Sequence, residues 1–526
     1  MTRWLRVLLA CGLLVGLAGT AEAVTRGGTL TYARYADSLL LDPVFNDANV
    51  DIWILTNLYD TLLQPTADGK DVQPGLATGY SVSDDGMTFT LKLRQGTKFS
   101  DGSPITADDV KWSLDRARNP NNHIWGFTLE GIESVEVGGS DTIILHLKHP
   151  DPTLASALAT FNSAIMPQKL YEATPGATEE EKAKAFAEHP IGSGPFMFDS
   201  WQRGTEMVIK RNPYYWQMGE DGKPLPYLDE VRFVVIPDDA TRILKLQAGE
   251  VDGAEFIPYT RVAELKNDPN LDMILFPSTR VQYLTVNVRP TLKDGKPNVL
   301  ADPKVRQALN YAIDKKAVIK VVTHDVGKPM VSFMSSATPM AIDNGPLYPY
   351  DVEKAKALLK EAGVAEGTEV SCMGLAGNAD ETAILSTVQA MWAQVGVKLN
   401  VEYLDNATRT ARYRAADFQM RVAAWTDDIA DPSEITSYFA YFPNIESLHG
   451  GWQDKKVDAL FEASQKEVDK TKRAEMYKEI QQTYIDSAPI MFLYESPYPV
   501  ALRKQVKGFN QIPLGNNIFS GAYVEK

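Results

Sequence analysis

Residues 421–432, RVAAWTDDIADP, hold the densest set of side chains with chemistry to offer. Val422 and Ala424 alternate with other residues and predict a strand that ends at Trp425. Asp427, Asp428 and the turn-prone Asp431-Pro432 pair follow. Such a stretch reads in two ways. It is a solvated loop after a buried strand, or it is a pocket wall with Trp425 as apolar floor and one carboxylate turned inward. In a water-poor cleft, a carboxylate facing an ammonium makes a charge-assisted hydrogen bond, roughly twice as strong as a neutral one. Asp427 and Asp428 are adjacent, so which of them faces inward stays open.

Other chemistries find little support. The six histidines (His123, His146, His149, His189, His324, His449) show no paired ligand spacing, and His146 and His149 fall on opposite faces of a strand pattern. Gly192-Ser193-Gly194 is neither a nucleophile elbow nor a phosphate-binding loop. No HExxH, Gly-x-Ser-x-Gly or Cys–His arrangement occurs, so neither a cofactor nor a metal is expected, and catalysis is not expected. A glycosidase built on two carboxylates needs no local motif and stands as the enzymatic alternative.

The chain has 526 residues, too many for one core, and so predicts two or three domains. Its net charge of −15 argues against nucleic acid or an anionic membrane as partner, since both call for basic surface. Arg3 and Arg6 precede an apolar run at 7–18, and Ala21-Glu22-Ala23 forms an A-x-A site. Residues 1–23 are therefore expected to be a secretory signal peptide cut after Ala23, and the mature chain to be exported. Cys11 lies inside that segment, in a poor lipoprotein box, which leaves Cys372 as the single mature thiol. An exported chain with one cysteine has no internal disulfide and depends on a large core.

The elements that must position the acidic stretch follow from periodicity. Residues 28–35 alternate as a first strand, and 50–63 carry apolar residues at helical spacing. Asp85-Gly86 marks a hairpin, residues 131–148 predict another, and Thr106 with Asp109 resembles a capping box. Residues 177–189 predict a charged helix. After Gly249-Glu250-Val251-Asp252 the texture changes to alternating strands and helices. Strands are predicted at 283–288, 397–403 and 490–494. Helices are predicted after Asp302-Pro303 and Asp351, at 382–395 and at 472–485. The expected class is α/β with mixed sheets and at least two lobes, with hairpins inserted in the first.

Read together, the segments resemble the family-5 extracytoplasmic solute-binding proteins of ABC importers, the peptide/nickel/opine class. The resemblance rests on Leu58-Tyr59-Asp60-Thr61-Leu62, Pro74-Gly75-Leu76-Ala77 and Lys98-Phe99-Ser100-Asp101-Gly102. It continues through Pro190-Ile191-Gly192-Ser193-Gly194-Pro195, Gly249-Glu250-Val251-Asp252 and Val305-Arg306-Gln307-Ala308-Leu309, in family order. It implies a two-lobed periplasmic-binding-protein fold of type II character that closes on its ligand. Lobe I would comprise 24–52, 187–283 and 488–526, an inserted subdomain 53–186, and lobe II 284–487, with hinges near 284 and 488.

The resemblance also implies site residues. Trp425-Thr426-Asp427-Asp428 matches a segment whose main chain meets the ligand and whose last Asp takes an α-ammonium. Ala33, Arg34 and Tyr35 match the segment that pairs with the ligand from lobe I. Tyr283 and Tyr494 match aromatics of the same cleft. Gly192, Gly194 and Arg94 are expected to serve architecture. Arg409, Arg412 and Arg414 could receive a ligand carboxylate, or equally form the solvated face of a short helix. The implied function is a monomeric periplasmic receptor that captures a di- or oligopeptide, or a related amine-bearing solute, and delivers it to a membrane permease. An oligosaccharide is the alternative ligand.

Overall fold

The computed structural model describes residues 24–46, 48–122 and 125–525. The expected signal peptide at 1–23 lies outside them. Among the described residues, no helix is long and apolar enough to cross a membrane.

Two mixed sheets make two lobes. In the first, Thr29–Arg34 runs parallel to both Gly253–Ala254 and Glu230–Val235, while its outer strands pair antiparallel. Leu30, Tyr32, Phe196, Ile209 and Val231 form the heart of its core. In the second, Val281–Val286 lies between Ile490–Glu495 and Met420–Trp425, antiparallel to both. Thr368–Leu375 and Val397–Leu404 extend this sheet as a parallel pair. Both Val281–Val286 and Ile490–Glu495 are buried along their whole length. A strand covered on both faces has no polar face to show, which explains why Ile490–Glu495 opens as an unbroken apolar run, IMFLY, rather than a clean alternation.

A third sheet of four strands has its own core, around Phe89, Leu91, Ile143 and Leu145, and sits between residues 77 and 147. The hairpin at Asp85-Gly86 forms as expected, with Gly86 in the left-handed region (φ 71°) that the turn requires. The capping box also forms: the Thr106 hydroxyl accepts from the Asp109 N–H and the Asp109 carboxylate accepts from the Thr106 N–H.

Two expectations shift. The helix read at 50–63 is Asn49–Leu58, because the chain turns away at Tyr59, where Gly192 and Gly194 press against it. A Cβ at Gly192 would lie 2.0 Å from the Leu58 carbonyl oxygen, and one at Gly194 would lie 2.7 Å from that of Asn57. The Ser193 hydroxyl accepts from the Asp60 N–H (3.1 Å), so Gly192-Ser193-Gly194 is a packing device. Arg94 stacks its guanidinium 3.9 Å from the Trp216 ring centroid, an architectural role as well.

The second shift concerns the crossings between lobes. Leu271–Phe276 belongs to the first sheet and Val281–Val286 to the second, so the chain crosses at 277–280. It returns at 496–497, between Ile490–Glu495 and Tyr498–Arg503. Hinges near 284 and 488 are therefore displaced: residue 284 is mid-strand, and residue 488 is the left-handed cap ending helix Lys470–Ser487. The two crossings are tied together, with Ser496 N–H donating to the Arg280 carbonyl (3.3 Å) and the Ser278 hydroxyl to the Ser496 carbonyl (2.5 Å).

Candidate functional site

Strand Met420–Trp425 pairs with Val281–Val286 in a register that sets Trp425 opposite Val281, at the lobe junction. The acidic stretch therefore emerges beside the crossing. Asp427 is fully buried, and its carboxylate is used up by the protein. It accepts from the Thr338 hydroxyl (2.6 Å) and the Trp425 indole N–H (2.9 Å), while its own N–H donates to the Thr279 hydroxyl (2.8 Å). Asp431 is likewise engaged, in a buried two-point pair with Arg473 (2.6 and 2.8 Å).

Asp428 differs. It remains partly exposed, and it lines a narrow gap closed from the other side by Ile52, Ser156, Phe161, Leu514 and Asn516. Its carboxylate meets no hydrogen-bond donor or cation among the described residues. What it does meet is more negative charge. Buried Glu434 accepts the Asp428 and Ile429 N–H groups (2.9 and 3.1 Å) on one carboxylate oxygen. Burial first, and then the charge of Asp427, push the Asp428 carboxyl up to about 7. Burial, then Asp428 and Asp427, push Glu434 well above the carboxylate range. This is a concentration of acid that a cation from outside would relieve.

Trp425 is a half-buried wall, its ring 4.6 Å from Tyr438 and 5.9 Å from Phe439. Thr426 is partly exposed between it and Asp427. On the first lobe, Tyr35 packs on Phe256 (4.6 Å), which stacks on Trp53 (5.3 Å), with Tyr498 next (6.4 Å from Phe256). Beside the gap, a cavity of about 760 Å³ opens between the inserted subdomain and the second lobe, bordered by Asp151, Ile429, Glu434 and Tyr438. Its size suits a small solute.

Four expected contacts do not reach the gap with their side chains. Ala33 is wholly buried in the first-lobe core. Arg34 is buried with its guanidinium 3.4 Å from Glu255 and 2.6 Å from the Val50 carbonyl, which makes it an internal ion pair. Tyr283 packs on Phe439 (4.8 Å) inside the second lobe, and Tyr494 is buried against the core on that sheet's other face. Alternation predicts which residues share a strand face but not which face meets the cleft, and here both faces of the strand are covered. Of the arginines, Arg409 pairs with Glu381 (2.8 Å) and Arg412 with Glu402 (2.7 Å), as parts of helix Asn406–Arg414.

Sequence reading missed Trp53, Phe256, Tyr498 and Glu434. For Glu434 a signal exists: Asp431-Pro432-Ser433-Glu434 has capping-box spacing, and the Glu reaches back over the turn. The aromatics come from segments hundreds of residues apart and carry no local signal. The lobes also touch directly, at the gap through the Ser156 hydroxyl donating to the Ala430 carbonyl (3.0 Å) and elsewhere through the Lys470–Asp71 ion pair (3.0 Å).

This two-lobed clamp with a third, inserted sheet belongs to a known class. Residues 71–446 match the family described as bacterial extracellular solute-binding proteins, family 5 Middle. The chain is 31% identical over 483 residues to the glutathione-binding protein GsiB of Salmonella typhimurium, covering 90% of each. It is 29% identical over 537 residues to the dipeptide-binding protein of Escherichia coli K12, covering 97% of each. Among solved structures, HbpA2 from Haemophilus parasuis superposes with a TM-score of 0.83 at 28% identity, over 95% of this chain and 100% of that one. The chain belongs to the family-5 solute-binding proteins. It is a substrate-binding receptor of an ABC importer, which hands its solute to a membrane permease rather than transforming it.

Proposed function

We propose that the solute is a short peptide, or a related amine-bearing molecule, whose ammonium is held by Asp428. The observation that carries this reading is the Asp428 carboxylate: it borders the interlobe gap, has no protein donor among the described residues, and is crowded by buried Glu434 and Asp427. An ammonium there replaces repulsion with a charge-assisted contact. Trp425, Thr426 and Tyr35 supply the adjoining walls. The names of the relatives, one binding glutathione and one dipeptides, support the same solute class. The receptor works in the periplasm after loss of residues 1–23. Residues 24–52, 187–276 and 498–526 form one jaw, 53–186 its insertion and 281–495 the other, and closure turns on the crossings at 277–280 and 496–497. The test is calorimetric titration with di-, tri- and tetrapeptides, reduced glutathione, and the N-acetylated form of each. Free-amine forms should bind and acetylated forms should not; equal affinity for both removes the ammonium assignment.

A further inference from the structure

The cavity of about 760 Å³ beside the gap has acid on both of its walls. Glu130 and Asp151 come from the inserted subdomain, Glu434 and Glu462 from the second lobe. Among the described residues, the basic side chains on its border are His149 and Lys466, and Lys466 is exposed to solvent. Two of the four carboxylates use one oxygen and leave the other free. Asp151 accepts the Thr153 N–H (2.9 Å) and hydroxyl (2.7 Å), both on Oδ1. Glu434 accepts the Asp428 and Ile429 N–H groups, both on Oε2. Asp151 Oδ2 and Glu434 Oε1 have no donor among the described residues.

Both free oxygens are placed to meet the cavity. A Cβ at Gly131, which also borders it, would lie 2.8 Å from Asp151 Oδ2, so the bare backbone there leaves that oxygen uncovered. Glu434 is only 6% exposed, yet it forms part of the cavity border and its free oxygen is not sealed in the core. The walls also repel each other. Burial first, and in smaller part the charge of Asp431 on the second lobe, push the Asp151 carboxyl up, as burial and Asp428 do for Glu434. Aromatic rings fill out the lining, Phe127 (47% exposed) from the insertion and Tyr438 from the second lobe. A ring face beside a carboxylate favours positive charge, since both attract it. Among the described residues, no group of three His, Cys, Asp or Glu side chains is arranged to hold a metal ion, so the cation that fits is an organic one.

We infer that this cavity is a second cation site, in which Asp151 on the insertion and Glu434 on the facing lobe take the ammonium or guanidinium of a basic side chain of the solute. The receptor then selects solutes with two positive groups, and the second group bridges the jaws where their acids otherwise repel. The inference rests on the reading given above, in which the first ammonium sits at Asp428.

The test titrates the full mature chain with tripeptides that carry one lysine among alanines, placed first, second or third, and with the same peptides carrying norleucine instead. Arginine and citrulline peptides form a second pair, and every peptide is also made in N-acetylated form. At one position or more, lysine or arginine should bind about ten- to a hundredfold more tightly than its neutral counterpart, the range for one hydrogen-bonded charge. Asp151→Asn and Glu434→Gln should each remove most of that preference, whatever they do to affinity as a whole. No preference at any position in the native protein overturns the inference, even if a variant does not fold. A preference unchanged in both variants overturns it too, and so does one that Asp428→Asn alone abolishes, which would seat the side chain at the first site. Weaker binding of acetylated peptides, with no preference for lysine or arginine, keeps Asp428 and removes the second site. Acetylation without effect, alongside a preference lost in Asp151→Asn, keeps the second site and removes the ammonium at Asp428. If no tripeptide binds, both readings fall.

Discussion

Replacing Asp428 by Asn keeps the side chain's shape and removes its charge, and the structure sets the direction of two effects. Burial and Asp427 raise the Asp428 carboxyl from 3.8 to about 7. A carboxyl whose pKa is higher folded than unfolded stabilises the fold while protonated. That contribution is whole below the unfolded value and is lost as pH rises through the folded one. At 1.36 kcal/mol per pKa unit, the ionised group costs about 4 kcal/mol above pH ~7. The titration is shared with Asp427 and Glu434, so the figure belongs to the three carboxyls together. Asn has no proton to lose. Without ligand, Asp428→Asn should therefore be the more stable protein at pH 8, by up to roughly 4 °C in melting temperature for a chain this long, with the gap shrinking toward pH 4. The same change should weaken binding of free-amine peptides by about 2–5 kcal/mol, the scale for losing one member of a buried charge pair. Scanning calorimetry from pH 4 to 8, with titrations at pH 8, reads both. A variant that melts lower at pH 8, or that keeps native affinity for amines, would refute the reasoning.

Other outcomes follow from the same geometry. Binding of an ammonium needs Asp428 ionised, so affinity should fall as pH drops below about 7, with a proton released on binding near pH 6; a flat profile from pH 5 to 8 counts against it. Arg473→Met strands the buried Asp431 carboxylate and should lose about 3–5 kcal/mol in urea denaturation, most of it regained when Asp431→Leu is added. Additive losses in that pair of substitutions would mean the two side chains act separately. The Cys372 thiol is buried and its ionisation is suppressed chiefly by burial, so a disulfide reagent should modify it only as fast as the protein unfolds. Rapid labelling of the folded protein would contradict that packing.

The sequence by itself determined what depends on neighbours a few residues apart. The capping box at Thr106, the Asp85-Gly86 turn, the helices after Asp302 and Asp351, and the strand ending at Trp425 all rest on local hydrogen bonds or short periods. The ordered motifs added the family and, with it, the two lobes. Only the tertiary structure decided which side chains face the gap. Ala33 and Tyr283 lie on well-predicted strands, yet both side chains turn into the cores, and the strand that carries Tyr283 is covered on both faces. Adjacent Asp427 and Asp428 are alike in sequence. They part ways because Trp425 and the distant Thr338 donate to one carboxylate, whose backbone N–H is held by Thr279, and leave the other without a donor.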